Sequence, residues 1–238
     1  MKKNHRWNTD VYEDRAKQLY RTELHKLYPS EAWALYPTLA KCKNVLDLGC
    51  GNGAMSSITK KISPKIKYTG VDHQDRMISA AKKEFPYATF YSDDLLNFLK
   101  TSKKFDCVMS WSVIKSFKNW RKLIEFMIQI SNKYTIFDIR VANTDVYAFD
   151  KDICWADYGG ISGPIVYLNY KTFKTSIMKF KKQLNSAKFI AYQSEWGKYV
   201  HLKKGLNKET FLVTCILEKK HSKKTFEIFE RIPDNIKI

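Results

Sequence analysis

Apolar and polar positions along this chain follow two periods, and the switches between them mark its elements. Val11, Tyr12, Ala16, Leu19, Tyr20, Leu24 and Leu27 recur at helical spacing, so residues 8–27 predict an amphipathic helix capped by Asn8 or Thr9 and ended by Pro29. Ser30 to Tyr36 reads as a second short helix, stopped by Pro37. From residue 44 short apolar runs alternate with amphipathic stretches. Strands are predicted at Asn44–Leu48, Ile66–Val71, Thr89–Tyr91, Phe105–Ser110 and Tyr134–Ile139, with helices at 53–62, 74–84, 94–101 and 117–131.

Such alternation implies right-handed βαβ crossovers and a parallel sheet covered on both faces, an α/β architecture. The pattern then changes. Residues 141–170 lack clear periodicity, and a helix at about 171–185 is followed by two longer strands, Lys188–Ser194 and Thr210–Leu217, expected to pair antiparallel. Residues 225–232 read as an edge strand or a tail. The expected organisation is a helical lid over 1–40, a domain over 41–218 with an insertion at 141–170, and a basic extension over 219–238.

Composition narrows the class. With 238 residues, 44% apolar and 14% aromatic, the chain builds one sizeable core. No apolar run reaches the length of a membrane span, and no apolar stretch follows the early lysines as in a signal peptide. The five cysteines are odd in number and lack C-x-x-C spacing, which disfavours disulfides and zinc and favours a reducing, cytoplasmic setting. No metal site is expected. The net charge of +18 suggests a polyanion, yet lysine supplies 35 of the 42 cations and these are scattered. Solvated lysine faces or a phosphorylated small substrate account for that charge more readily than nucleic acid.

The chemistry concentrates at Asn44-Val-Leu-Asp-Leu-Gly-Cys-Gly-Asn-Gly-Ala54, a strand that ends in a glycine turn and opens a helix. Backbone N–H groups and the positive end of a helix dipole meet there. Gly49, Gly51 and Ala54 formally satisfy a dinucleotide fingerprint. Asp47 argues against it, because a carboxylate two residues before the turn repels a pyrophosphate and attracts an ammonium. Asp72, ending the next strand, reads either as an acceptor for two ribose hydroxyls or as a helix cap. Asp93 and Asp94 follow the third strand. One is expected to meet an exocyclic amine, with a slight lean to Asp94, and the other to cap the helix from Leu95.

Val45-Leu-Asp-Leu-Gly-Cys-Gly-Asn-Gly53, Gly70-Val-Asp72, Ser92-Asp-Asp94 and Phe105-Asp-Cys-Val-Met-Ser110 together resemble the ordered motifs of class I, Rossmann-like S-adenosylmethionine-dependent methyltransferases. The likeness covers about residues 40–140 and, more loosely, runs on to about 218. It implies a seven-stranded sheet in the order 3-2-1-4-5-7-6, with strand 7 antiparallel, and S-adenosylmethionine as donor, leaving S-adenosylhomocysteine. It also implies that Asp47 holds the methionine amino group and that Gly49, Cys50, Gly51 and Gly53 line the methionine and ribose. Asp72 then binds the ribose, His73 flanks the adenine, Asp93 or Asp94 meets its amine, and Ser110 and Trp111 lie beside the methionine.

The acceptor site is expected to draw on the first helix, the turn after the fourth strand, the insertion and the loop 195–209. Tyr12, Lys115, Arg140, Trp155, Tyr158, Tyr167, Tyr170 and Trp196 are the candidate binding residues, and His201, Tyr158 and Arg140 the candidate catalytic ones. Trp7, Tyr12 and Tyr20 are further candidates for a lid. His201 is the base candidate best suited to neutral pH, and Arg140 reads equally as an anion clamp or as the partner of Asp138 or Asp145. No Asn/Asp-Pro-Pro-Tyr and no Pro-Cys motif appears, so amino-methylating and cytosine-C5 DNA enzymes are disfavoured. The reading is a methyltransferase, monomeric or homodimeric, that acts at O or N of a small anionic acceptor: a phosphorylated sugar, nucleotide or surface-glycan precursor. RNA methylation and a non-catalytic cofactor-binding subunit are the alternatives.

Overall fold

The structure, a computed structural model, describes residues 20–101, 103–157, 162–221 and 225–237. Helix α1 (Pro29–Leu39) precedes β1 (Asn44–Leu48), α2 (Ala54–Ile62), β2 (Lys67–Asp72), α3 (Asp75–Glu84), β3 (Thr89–Ser92) and α4 (Leu95–Thr101). Then come β4 (Phe105–Ser110), α5 (Trp120–Ile130), β5 (Ser131–Ala142), β6 (Cys154–Asp157), β7 (Ser162–Pro164) and α6 (Tyr170–Met178). The chain closes with β8 (Leu184–Ser194), β9 (Val200–Leu202), β10 (Thr210–Lys219) and β11 (Glu227–Arg231).

The main sheet runs β11-β8-β10-β5-β4-β1-β2-β3. Pairing is parallel from β3 across to β5, while β10 is antiparallel to both β5 and β8. From β3 to β8 this is the expected order, with β10 as the reversed strand. The sheet has eight strands rather than seven, because β11 adds to the edge parallel to β8. Residues 227–231 and 235–237 are therefore built into the domain. Ile236 is buried, and Asn143 receives the Lys237 N–H and donates to the Asn235 carbonyl.

The central strands β1 and β4 are buried on both faces and are largely apolar. Val45, Leu46 and Leu48 of β1 are fully buried, their side chains divided between two layers. One layer packs α4, α5 and α6 through Leu95, Leu99, Leu123, Met127 and Phe173. The other packs α1, α2 and α3 through Leu35, Leu39, Ile58, Ile78 and Ala81. A fully buried leucine or isoleucine contributes about 1.5–3 kcal/mol, so these layers fix the sheet that carries the site.

The prolines act differently from the expectation. Pro29 opens α1 at its first position, where a missing N–H costs nothing, and the Tyr28 N–H donates to Glu31 Oε2 at 2.9 Å. Pro37 does not stop α1, which runs on to Leu39, and the Thr38 hydroxyl occupies the Ala34 carbonyl at 2.5 Å. Of the helix expected over 8–27, residues 8–19 lie outside the described residues, and the remainder holds only a 3-10 turn at Leu24–Lys26. The insertion contains β6 and β7, which pair antiparallel and join β9 in a second sheet of order β7-β6-β9. That sheet sits at the carboxyl ends of β5 and β8, the edge where the glycine turn also lies.

Candidate functional site

The site is built where β1, β2, β3 and β4 end. After Leu48 the chain turns through Gly49, Gly51 and Gly53, at φ of 76°, 54° and 78°. The turn is hung on β2: the Gly49 and Cys50 N–H groups both donate to the Val71 carbonyl, at 2.7 and 3.1 Å. A Cβ at Gly49 would run into the Val113 side chain, so glycine there lets the turn after β4 close against the turn after β1. At Gly51 a Cβ would meet nothing within 4 Å. The open space beside this cradle is where a ligand can approach the backbone.

Asp47 is 2% exposed, and its carboxylate is reached from the neighbouring strand by the Tyr68 hydroxyl, which donates to Oδ2 at 2.5 Å. Oδ1 is buried and makes no hydrogen bond among the described residues. Burial pushes the Asp47 carboxyl up to about 7, the Tyr68 bond pulls it down, and the nearby Asp72 and Glu31 raise it further. An unpaired buried carboxylate oxygen is costly, and a cationic donor is what it asks for.

Asp72 is also buried, and it is held in place by the turn it serves. Gly51 N–H donates to Oδ2 at 3.0 Å, Gln74 N–H donates to Oδ1 at 3.1 Å, and His73 Nδ1 lies 3.2 Å from Oδ1. Asp94 is the cap of α4: its Oδ1 accepts from the Leu96 and Asn97 N–H groups, both at 3.0 Å. Asp93 lies against β2 through its N–H to the Asp72 carbonyl at 3.0 Å, and its Oδ1 accepts only from the adjacent Asp94 N–H at 2.7 Å. The two adjacent carboxylates are thus separated in role by local backbone geometry.

The turn after β4 carries the single strained non-glycine residue among those described, Ser112 at φ 58°. Asp138 of β5 pins it by accepting from the Ser112 N–H and, at 3.5 Å, from its hydroxyl. Ser110 is fully buried and donates to the Leu48 carbonyl at 3.0 Å, locking β4 to the start of the glycine turn. The Trp111 indole N–H, next in sequence, is buried and has no hydrogen-bond partner among the described residues. Arg140 lies two residues beyond Asp138 and donates through Nη1 to Ser194 Oγ and the Glu195 carbonyl, with the Trp196 ring 5.6 Å from its guanidinium carbon. Of its two expected structural partners, Asp138 is close enough to act on its charge.

Not every expected residue gathers here. Tyr170 is fully buried in the core under α6 with its hydroxyl donating to Glu230, and Tyr167 is fully buried under the small sheet with its hydroxyl donating to the Asn207 carbonyl. Both tyrosines pack in the core with their polar ends already paired. His201 of β9 is exposed and its ring stacks on Trp155 of β6 at 5.3 Å, so these two belong to the outer small sheet. Lys115 donates to the Ser112 carbonyl at 2.8 Å. The Cys50 side chain turns toward Gly70, where an added Cβ would strike its sulfur. Tyr12 and Tyr158 lie outside the described residues, as does Trp7, and Tyr20 packs on Phe85.

Four residues beyond the candidate site residues join the site. Tyr68 and Asp138 are described above. Glu31 is 4% exposed and salt-bridged to Arg21, and its carboxyl is raised by burial against the pull of that arginine. Arg21 lies over the Tyr28 ring at 4.0 Å, and its Nε is buried without a partner. Their sequence signal was weak, since a Glu and an Arg on amphipathic segments read as surface charges. Among the described residues no group of His, Cys, Asp and Glu is arranged to hold a metal, and no helix is long and apolar enough to cross a membrane.

Set beside known proteins, residues 12–202 match the model of a family described as "Methyltransferase domain". A "Putative methyltransferase 235L" of Invertebrate iridescent virus 6 is 33% identical over 73 residues, 31% of this chain and 27% of that protein. A "Demethylmenaquinone methyltransferase" of Thermotoga maritima is 23% identical over 147 residues, 58% of this chain and 63% of that protein. The chain thus spans less than two-thirds of the length of these relatives. Among solved structures, the N-terminal domain of EvdMO1 with S-adenosylhomocysteine bound superposes at a TM-score of 0.61, with 12% identity, over 89% of this chain and 98% of that one. The plantazolicin methyltransferase BpumL, also with S-adenosylhomocysteine, gives 0.59 at 17% identity over 90% and 93%. At these identities the likeness is one of fold.

Proposed function

Because the chain belongs to the methyltransferase-domain family, in its class I S-adenosylmethionine-dependent form, we propose that it transfers a methyl group from S-adenosylmethionine to an oxygen or nitrogen of a small anionic acceptor. The observation that carries the donor half is Oδ1 of Asp47, a buried carboxylate oxygen with no partner beside a glycine cradle open at Gly51. Those acceptors suit an ammonium on one side and a ribose on the other. S-adenosylmethionine, when bound, supplies a methyl group activated by its sulfonium.

In this reading Asp47 takes the ammonium, Gly49 to Gly53 line the methionine and ribose, and Asp72 accepts the ribose hydroxyls. His73 flanks the adenine. Asp93 takes its exocyclic amine in preference to Asp94, whose Oδ1 is used by α4. The buried Nε of Arg21 supplies a donor for the carboxylate end. Displacement at a sulfonium needs alignment and exclusion of water more than a fixed catalytic triad, so the chain's contribution is positional. Trp111 and the Ser112 turn, set by Asp138, form the wall next to the reacting carbon.

The acceptor half rests on N–H donors at the same edge. Both Arg140 bonds use Nη1, and the Trp196 indole N–H beside it is buried and unpaired. Those groups favour a phosphorylated sugar, nucleotide or glycan precursor over a cation. Titration calorimetry with S-adenosylhomocysteine tests the donor site, with micromolar binding abolished by Asp47→Ala as the expected result. Methyl transfer from labelled donor to a panel of phosphorylated sugars and nucleotides tests the acceptor. Turnover confined to neutral or cationic acceptors sinks the anionic assignment while leaving the donor site intact.

A further inference from the structure

We infer that β11 is the contact strand of a symmetric homodimer, with two copies joining edge to edge into one continuous sheet. Among the described residues β11 is the outermost strand, and all five of its residues are exposed. Ile228 and Phe229 are 45% and 52% exposed, two large apolar side chains next to each other on an open sheet edge. An edge of this kind is a template for another strand.

The occupant follows from the sequence of the strand itself. Glu227-Ile-Phe-Glu-Arg231 is self-complementary when paired antiparallel about Phe229. In that register Phe229 faces its own copy, Glu227 lies opposite Arg231 of the partner subunit, and Arg231 opposite Glu227 of the partner subunit. Two ion pairs then flank an aromatic pair on one face, with directly opposed side chains about 4.5–5.5 Å apart at Cβ. A two-fold axis through Phe229 satisfies the isologous symmetry of a closed dimer.

The other face raises no conflict. Glu230 is already engaged, accepting from the Tyr170 hydroxyl and paired to Lys174 at 2.6 Å, so Ile228 of one copy meets a carboxylate that is already neutralised. Residues 225–236 hold Glu227, Glu230 and Asp234 against Arg231, a net acidic stretch in a chain of net charge +18. At physiological salt screening acts over about 8 Å, so the local pairs rather than the total charge govern the contact. The register also leaves Phe229 beside Lys188 of β8, whose exposed stem can cover the ring.

A five-residue edge is a small interface, which sets the expected association in the micromolar range rather than below it. Sedimentation equilibrium of the full chain at physiological salt is expected to show a monomer–dimer equilibrium. Glu227→Arg places two arginines opposite each other and shifts the chain to monomer. Glu227→Arg combined with Arg231→Glu restores the pairs and the dimer, which a merely structural role for these side chains does not predict. Hydrogen exchange of the wild type at low and high concentration gives an independent readout, with the amides of 227–231 that face away from β8 protected only in the concentrated sample. A wild type that stays monomeric into the high micromolar range overturns the proposal, as does a dimer unchanged by Glu227→Arg.

Discussion

Tyr68 donates its hydroxyl to Oδ2 of Asp47 from the adjoining strand, and Oδ1 of the same carboxylate is left buried and unpaired. Val45 and Tyr68 are register partners, so the hydroxyl reaches diagonally across the β1–β2 ladder to a residue two places further on. The bond orients the carboxylate without neutralising it. Burial dominates, and the group is held up to about 7.

Cofactor binding is therefore expected to be linked to proton release. Below about pH 7 the Asp47 carboxyl of the free protein is protonated, and it must ionise to receive an ammonium. Affinity for S-adenosylhomocysteine should fall by up to tenfold per pH unit below that point and level off above it. Calorimetry at pH 6 in buffers of different ionisation enthalpy should register close to one proton released; a buffer-independent enthalpy contradicts the linkage.

The same carboxylate costs stability. Its folded pKa lies above the unfolded value of 3.8, so the folded state holds the extra proton between about pH 4 and 7. Stability from this group thus declines as pH rises through that window, and the full penalty persists above it. Asp47→Asn keeps an acceptor for Tyr68 and removes the charge. The expected variant melts at a higher temperature than the wild type at pH 8, with little difference at pH 4, and binds cofactor at least tenfold more weakly.

Gly49 and Gly51 separate folding from binding. Both have positive φ, but only at Gly49 does a side chain collide with Val113. Gly51→Ala is expected to cost about 1–2 kcal/mol of strain, read as a modest loss in chemical denaturation, while its methyl group occupies the ligand's approach and lowers affinity severely. Gly49→Ala should fail mainly in stability. Equal losses of stability in the two variants would contradict this division.

Asp138 is expected to act on turnover more than on donor binding. Asp138→Ala frees the Ser112 N–H and the strained turn behind it, a loss of about 1–3 kcal/mol in stability for an unsatisfied buried group. In the proposed arrangement this turn would wall the donor methyl, so kcat should fall well below the wild-type value while S-adenosylhomocysteine affinity changes less than threefold. Ser112→Gly, which adopts a φ of 58° at no steric cost, should partly recover the stability of the alanine variant.

The parts legible in the sequence are those determined within a few residues. The strand–turn–helix at Asn44 to Ala54 announces itself through its apolar run and its glycines, and Asp47 and Asp72 are placed by strand ends. Pro29 was ambiguous because the same ring that ends a helix also fits its first position. Glu31 and Arg21 are charged residues whose burial depends on each other across ten positions, so neither pattern nor propensity exposes them. Tyr167 and Tyr170 look like binding aromatics in an irregular insertion, and only tertiary packing shows their hydroxyls paired. Strands of three or four residues, such as β6, β7 and β9, are too short for a period to register.

That small sheet is stitched from two segments distant in the chain, since β6 and β7 come from the insertion after β5 and β9 from the connection between β8 and β10. Its pairs, such as Trp155 with His201, close a loop of more than forty residues for a few short hydrogen bonds. Such a unit is expected to assemble after β10 has paired with β5 and β8, and to open early when the native state fluctuates. Amide exchange in this sheet ahead of that in β1 and β2 would mark it as a separate cooperative unit, able to open while the cradle stays intact.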